Sequence, residues 1–186
     1  GIAVPPRAAW LRALALERER IANHLGDLGY LGNDGGFAFG LSQFSRLKED
    51  VLRANLAAFG HRMMMDFVAP GGVSRDVDPA ALRALADQSL DLEREIRTVR
   101  GIYDEHAGLQ DRFMTTGRVT PESAARLGLA GMAGRASGQA FDLRCDHPWH
   151  PFDQFNVAMV SHRHGDVAAR VAVRFDEVFE SLRLIR

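Results

Sequence analysis

Apolar residues recur at helical spacing in several stretches of the chain, and strand-like alternation is scarce. The first stretch covers residues 6–30. Trp10, Leu14, Ile21 and Leu28 fall on one stripe at spacings near 3.5, and Leu11, Leu25 and the stem of Arg18 widen it. Pro5 and Pro6 suit a helix entry. Glu17 and His24 interrupt this stripe and should face the core with it. Glycines at 26, 29, 32, 35 and 36 follow. Each weakens a helix interior by about 1 kcal/mol relative to Ala, so they either end the helix or admit another backbone.

A second helix is predicted over residues 41–67, with Ser42 as an early cap and a stripe of Leu52, Leu56, Phe59, Met63 and Phe67. Pro70-Gly71-Gly72 closes it. Asp78-Pro79 reads as cap plus first turn of a third helix, which Leu82, Leu85, Leu92, Ile96, Val99 and Tyr103 carry to about Glu105. Thr120-Pro121 repeats the signal for a short helix stopped by Gly128. Asp166 caps a last helix with the stripe Val171, Phe175, Val178, Leu182 and Ile185. Between 128 and 165 glycines and prolines accumulate, and only weak alternation over 152–160 suggests short strands or loop. The pattern predicts one mainly α domain over residues 1–186, a helical bundle with a small irregular or β insert around 141–165.

Composition narrows the function classes. With 186 residues, 46% of them hydrophobic and 25% charged, the chain can bury one core. A net charge of −1 supplies no field to attract nucleic acid or an anionic membrane. No apolar run approaches the roughly 20 residues of a membrane span. Cys145 is the single cysteine, which excludes an intrachain disulfide and any site built from several thiolates, and fits a reducing, cytosolic setting. The start GIAVPPRAAW shows no secretory leader, and its lack of Met reads as a processed or excised piece.

The candidate chemistry is polar. Glu17, Arg20 and His24, spaced i, i+3, i+7, stack along one helix side over about 10.5 Å. On an apolar stripe they form either a buried brace between helices or a layer that orients a redox site or relays protons. Asp34 lies in the glycine turn LGNDGG. His61 and Arg62 precede three methionines that suit adaptable core packing. Residues 128–138 are glycine-rich but lack the Gly-Lys-Ser/Thr of a phosphate cradle. Cys145, Asp146, His147 and His150, with His162 and His164, match no strong zinc spacing and are expected to be exposed loop residues, so no metal site is assigned. No nucleophile elbow supports a hydrolase.

Three words, LERERIANHLGDLG (residues 16–29), GHRMMMDFVAPGGV (60–73) and GRASGQAFDLR (134–144), stand in this order. In that order they resemble the large subunit of membrane-bound, respiratory-type nickel–iron hydrogenases and the related, hydrogenase-derived subunit of NADH-quinone oxidoreductase. Glu17, Glu19, Arg20, Ile21, Asn23 and His24 match the first pattern. Arg18 stands where a leucine is usual, and is expected as an exposed or snorkelling charge. Arg135, Ala136, Ser137, Gly138, Asp142 and Arg144 carry the third pattern. The resemblance implies a hydrogenase-type helical fold. It makes Asp34 the candidate functional carboxylate, matching an aspartate near the quinone pocket in the quinone-reductase branch, and makes Arg135 and Ser137 possible cofactor contacts. It places His61, Arg62, Pro70, Gly71 and Gly72 at the interface with the small Fe–S subunit, on a surface shared with the 134–144 loop.

The stretch GFAFGLSQFSRLKED, residues 36–50, and Ala69 before Pro70 favour the formate hydrogenlyase and hydrogenase-4 branch. The rivals are the quinone-site subunit of NADH-quinone oxidoreductase and a non-catalytic helical interaction module. The family's two C-x-x-C pairs are absent from these residues. The resemblance thus implies an oxidoreductase component that itself binds no cofactor, a nickel–iron centre arising only if flanking sequence supplies those pairs. Its implied partners are the small Fe–S subunit and membrane subunits, with no nucleic acid, at the inner face of the cytoplasmic membrane.

Overall fold

A computed structural model describes residues 3–186, and the first two residues of the GIAVPPRAAW start lie outside them. Four long helices form the frame: α1 (Pro6–Asp34), α2 (Ala38–Phe59), α3 (Pro79–Glu105) and α8 (Val167–Ile185). Helix α1 packs on α2 and α8, and α3 closes the ring by packing on both α2 and α8. Shorter helices α4 (Ala107–Phe113), α5 (Pro121–Arg126), α6 (Gly131–Ala136) and α7 (Leu143–Asp146) fill the connection from α3 to α8, with a 3₁₀ turn at Phe152–Gln154. The mainly α expectation holds.

The caps explain several of the starts. Asp78 accepts from the Ala80 and Ala81 amides, Thr120 from Ser123, and Asp166 from Ala169, each satisfying N–H groups a helix start leaves free. The main core joins Ile21, Leu25 and Leu28 to Phe44, Leu47, Ile96, Tyr103, Phe175 and Val178. A second cluster, with Leu11, Phe59, Phe67 and Leu85, lies toward the start of α1.

Four expectations change. Helix α1 continues to Asp34, because Gly29 and Gly32 admit neighbours: a Cβ on Gly29 would stand 3.2 Å from the Phe44 Cβ, and one on Gly32 would overlap the Tyr103 hydroxyl. Helix α2 starts at Ala38 without a side-chain cap and ends at Phe59, where Gly60 turns left-handed at φ 82°. Residues 60–67 are therefore a turn, and β1 (Val68–Ala69) and β2 (Gly72–Val73) pair antiparallel around Pro70-Gly71. Of the irregular or β insert expected at 141–165, the irregular alternative holds, with a short helix and a 3₁₀ turn, and the described β structure lies in 68–73 instead. Finally, Trp10, Leu56 and Met63 of the proposed stripes are exposed. No helix among the described residues is long and apolar enough to cross a membrane.

Candidate functional site: a buried ionic cluster

Helix α1 turns Glu17, Arg20 and His24 toward α8 and the 135–144 segment. Glu17 is 2% exposed. Both of its oxygens accept from the Arg144 Nη1 at 2.9 Å, and Oε2 also accepts from the Ser181 hydroxyl at 2.6 Å. Arg144 in turn reaches Asp142 through Nε at 3.1 Å and Nη2 at 2.8 Å. Asp142 caps α7 by accepting the Arg144 amide, which fixes the geometry of the pair locally.

One helical turn along, Glu177 of α8 receives three donors. His24 Nε2 lies at 2.7 Å, Arg20 Nη1 at 3.2 Å and Arg135 Nε at 2.5 Å. Arg20 also approaches Glu17 at 3.7 Å, so it joins the two halves. Its Nε is buried without a hydrogen-bond partner, as is the Ser137 hydroxyl.

Three carboxylates thus face three guanidiniums, and the cluster is neutral while His24 is neutral. Burial alone would push Glu177 up, but hydrogen bonds from His24 and Arg135 outweigh it and hold the carboxyl at about 2. An ionised carboxylate only accepts, so His24 Nε2 carries the proton in this contact. Burial opposes ionisation of Asp142 too, and the Arg144 bonds prevail and lower it. Burial is likewise outweighed at Arg144, whose carboxylate partners raise it. A proton relay needs groups that titrate near the working pH. Glu177 and Asp142 are held away from it, so this geometry fits a brace tying α1, the 135–144 segment and α8.

The cluster unites Glu17, Arg20, His24 and Arg135, and adds Asp142 and Arg144 from the third sequence word. Sequence reasoning missed Glu177 and Ser181. Their signal was a polar i, i+4 pair on the same helix as the apolar stripe of α8.

Arg18 overturns its expected exposure: it is 0% exposed. Its Nε donates to Asn55 Oδ1 at 2.8 Å, Nη1 to Gln88 Oε1 at 2.8 Å and Nη2 to the Val51 carbonyl at 3.0 Å. All three acceptors are neutral. Burial pushes its pKa down to about 10, which leaves it charged at neutral pH.

Other candidates stand apart. Asp34 is exposed at the end of α1, about 15 Å along the axis from His24. His61 and Arg62 are exposed; the His61 ring accepts the Met63 and Met65 amides, and Arg62 pairs with Glu49. Pro70 is exposed, Gly71 half-buried and Gly72 buried. Arg12 donates to the Gly72 carbonyl at 2.8 Å, whereas Arg144 meets α1 at Glu17. Five residues turn a helix by about 140°. The 60–73 word and the 134–144 loop therefore meet α1 on sides about 140° apart.

Cys145 is half-buried; burial and then Asp142 push its thiol up, and it donates to the Val157 carbonyl at 3.6 Å. His147 and His164 are exposed, His150 and His162 half-buried, and no metal-holding group of three ligands occurs among the described residues. Beside Glu17 lies a cavity of about 340 Å³ walled by Trp10, Leu14, Phe152, Phe155 and Ile185.

Known proteins are similar to this one over the full chain. Residues 34–186 match the family described as respiratory-chain NADH dehydrogenase, 49 Kd subunit. The carbon monoxide-induced hydrogenase of Rhodospirillum rubrum is 32% identical over 187 residues, covering all of this chain and 52% of its own length. An NADH-quinone oxidoreductase subunit of Granulibacter bethesdensis is 31% identical, covering all of this chain and 46% of its own. Formate hydrogenlyase subunit 5 of Escherichia coli is 34% identical, covering all of this chain and 32% of its own. A chain in the solved membrane-bound sulfane sulfur reductase, an archaeal respiratory membrane complex, superposes with a TM-score of 0.92 at 27% identity, covering all of this chain and 50% of that one. The chain spans about half the length, or less, of these relatives. With residues 34–186 matched and the fold shared end to end, the chain belongs to the family of the 49 kDa subunit of respiratory-chain NADH dehydrogenase.

Proposed function

We propose that this chain is the helical scaffold within the large subunit of a membrane-associated hydrogenase of the formate hydrogenlyase or hydrogenase-4 kind. One observation carries this reading. Two of the three sequence words that bear the likeness, 16–29 and 134–144, lie more than 100 residues apart yet both supply side chains to one ionic cluster. Such a brace fixes helices around a redox centre and performs no chemistry itself. Nickel and iron would be held by thiolates outside these residues, since one cysteine cannot form a four-thiolate site. The small Fe–S subunit and membrane subunits would be partners, with the large subunit peripheral to the inner face of the cytoplasmic membrane.

A second reading has its own support: two NADH-quinone oxidoreductase relatives match the whole chain at 31% and 32% identity. There the same scaffold would border a quinone site, and no nickel would be required. Purifying the full-length gene product with its native complex separates the two. Hydrogen evolution from reduced viologen with stoichiometric nickel is the expected result. Quinone reduction by NADH without nickel would replace the first reading by the second. Neither activity would leave a non-catalytic interaction module. The 186-residue chain alone is expected to retain no nickel or iron after chelation, and stoichiometric metal in elemental analysis would overturn that.

A further inference from the structure

Arg18 poses a problem the ionic cluster does not explain. A guanidinium fully removed from water normally faces a carboxylate, yet its side chain donates only to Asn55, Gln88 and the Val51 carbonyl. Its three neutral acceptors supply hydrogen bonds but no opposite charge, so ion pairing does not account for its presence. What the charge does hold is geometry. Gln88, once engaged by Arg18, donates to the Asp50 carbonyl at 2.9 Å, fastening α3 to α2. Asn55, 1% exposed, has its carbonyl oxygen taken by Arg18, and this orients its amide nitrogen toward the Arg62 carbonyl at 3.4 Å.

The 61–67 turn beyond that carbonyl is strained. Met64 and Asp66 both lie in the left-handed region, at φ 53° and 60°, and neither is glycine. Such conformations persist only where the surroundings over-determine them. Here Met64 is buried, while Met63 and Met65 on either side are 52% and 64% exposed. The strain thus turns one methionine inward and presents its two neighbours to solvent.

We propose that Arg18 is a positioning residue that, through Asn55, locks the 61–67 turn in its left-handed form and so presets the surface carrying Met63 and Met65. That this surface meets a partner rests on the function proposed above; the locking itself does not.

Hydrogen exchange on the 186-residue protein tests the lock. In Arg18→Leu, amides of 63–67 should exchange faster by on the order of tenfold, the effect of about one net hydrogen bond. The melting temperature should fall as well, because Asn55, Gln88 and the Val51 carbonyl lose their donor, but the quickening should be concentrated at 63–67 rather than spread over the helices that hold those acceptors. Asn55→Asp is the second variant. Its carboxylate keeps the Arg18 bond but has no N–H for the Arg62 carbonyl, so the same local quickening is expected while Arg18 stays engaged. It also decides the matter if Arg18→Leu does not fold. Unchanged exchange at 63–67 in folded variants overturns the proposal, as does quickening spread evenly over α1, α2 and α3. Binding of the Fe–S subunit to the wild-type complex is measured separately. Failure there removes the partner reading while the exchange result still decides the lock.

Discussion

Glu17 shows how much a single side chain can hold once water is gone. Arg144 grips both oxygens and Ser181 takes a further bond, all in a region only a few per cent exposed. Glu17→Ala would leave Arg144 buried with only Asp142 opposite it. Breaking one partner of a buried pair costs about 3–5 kcal/mol, which urea denaturation would register as a large drop in midpoint. Ser181→Ala, removing one neutral donor, should cost about 1 kcal/mol. A loss on Glu17→Ala no larger than that of Ser181→Ala would show that the brace is not what fastens α1 to α8. The burial of Glu17 and His24 was legible in the sequence, because they interrupt an apolar stripe. Glu177 was not, since its i, i+4 pairing with Ser181 on α8 does not reveal that three basic groups converge on it. Arg18 was misread for a related reason: a charge on a helix face looks exposed until neutral amides from two other helices are seen around it.

At the scale of elements, stripes and caps announced the four long helices, but their ends depended on partners. Helix α1 passes through Gly29 and Gly32 because Phe44 and Tyr103 fill the space those residues leave, and the Tyr103 hydroxyl donates to the Leu28 carbonyl at 2.7 Å. Helix α2 stops at Gly60 although Met63 and Phe67 continue its period; Phe67 reaches the core from a turn, edge-on to Phe59 with ring centroids 4.8 Å apart. Short helices such as α6 and α7 carry too few residues for any period to show. The glycines yield a test of opposite signs. Gly101 lies exposed in α3 with open space around it, so Gly101→Ala should stabilise by about 0.5–1 kcal/mol through helix propensity. Gly32→Ala gains the same propensity but must displace the buried Tyr103 ring, a net loss of about 1–3 kcal/mol. Combining it with Tyr103→Phe should cost less than the sum of the two single changes. Thermal melts that give both alanines the same sign would contradict this packing.

Across the whole molecule, the neutral pairing of acids and bases has a consequence for acid sensitivity. Glu177 sits at about 2, against its ordinary 4.5, and Asp142, Asp166 and Glu180 are lowered in the same direction by partners that overcome their burial. Between those limits the unfolded chain binds a proton at the Glu177 position that the folded protein refuses. Stability therefore rises with pH through this window and is complete above the unfolded value. From neutral pH down to about 6 the urea midpoint should hold level, and below about 5 it should fall steadily toward pH 2. Glu177 alone should account for a few kcal/mol of that fall. Glu177→Gln lowers stability at neutral pH by stranding Arg135 and Arg20, so its absolute midpoint is uninformative; the slope is what matters. With the carboxyl removed, stability should depend less steeply on pH between about 4.5 and 2 than in the wild type. An unchanged slope would place the acid-sensitive contacts elsewhere, and would mean that α8 is not held to α1 and the 135–144 segment by an ionised Glu177.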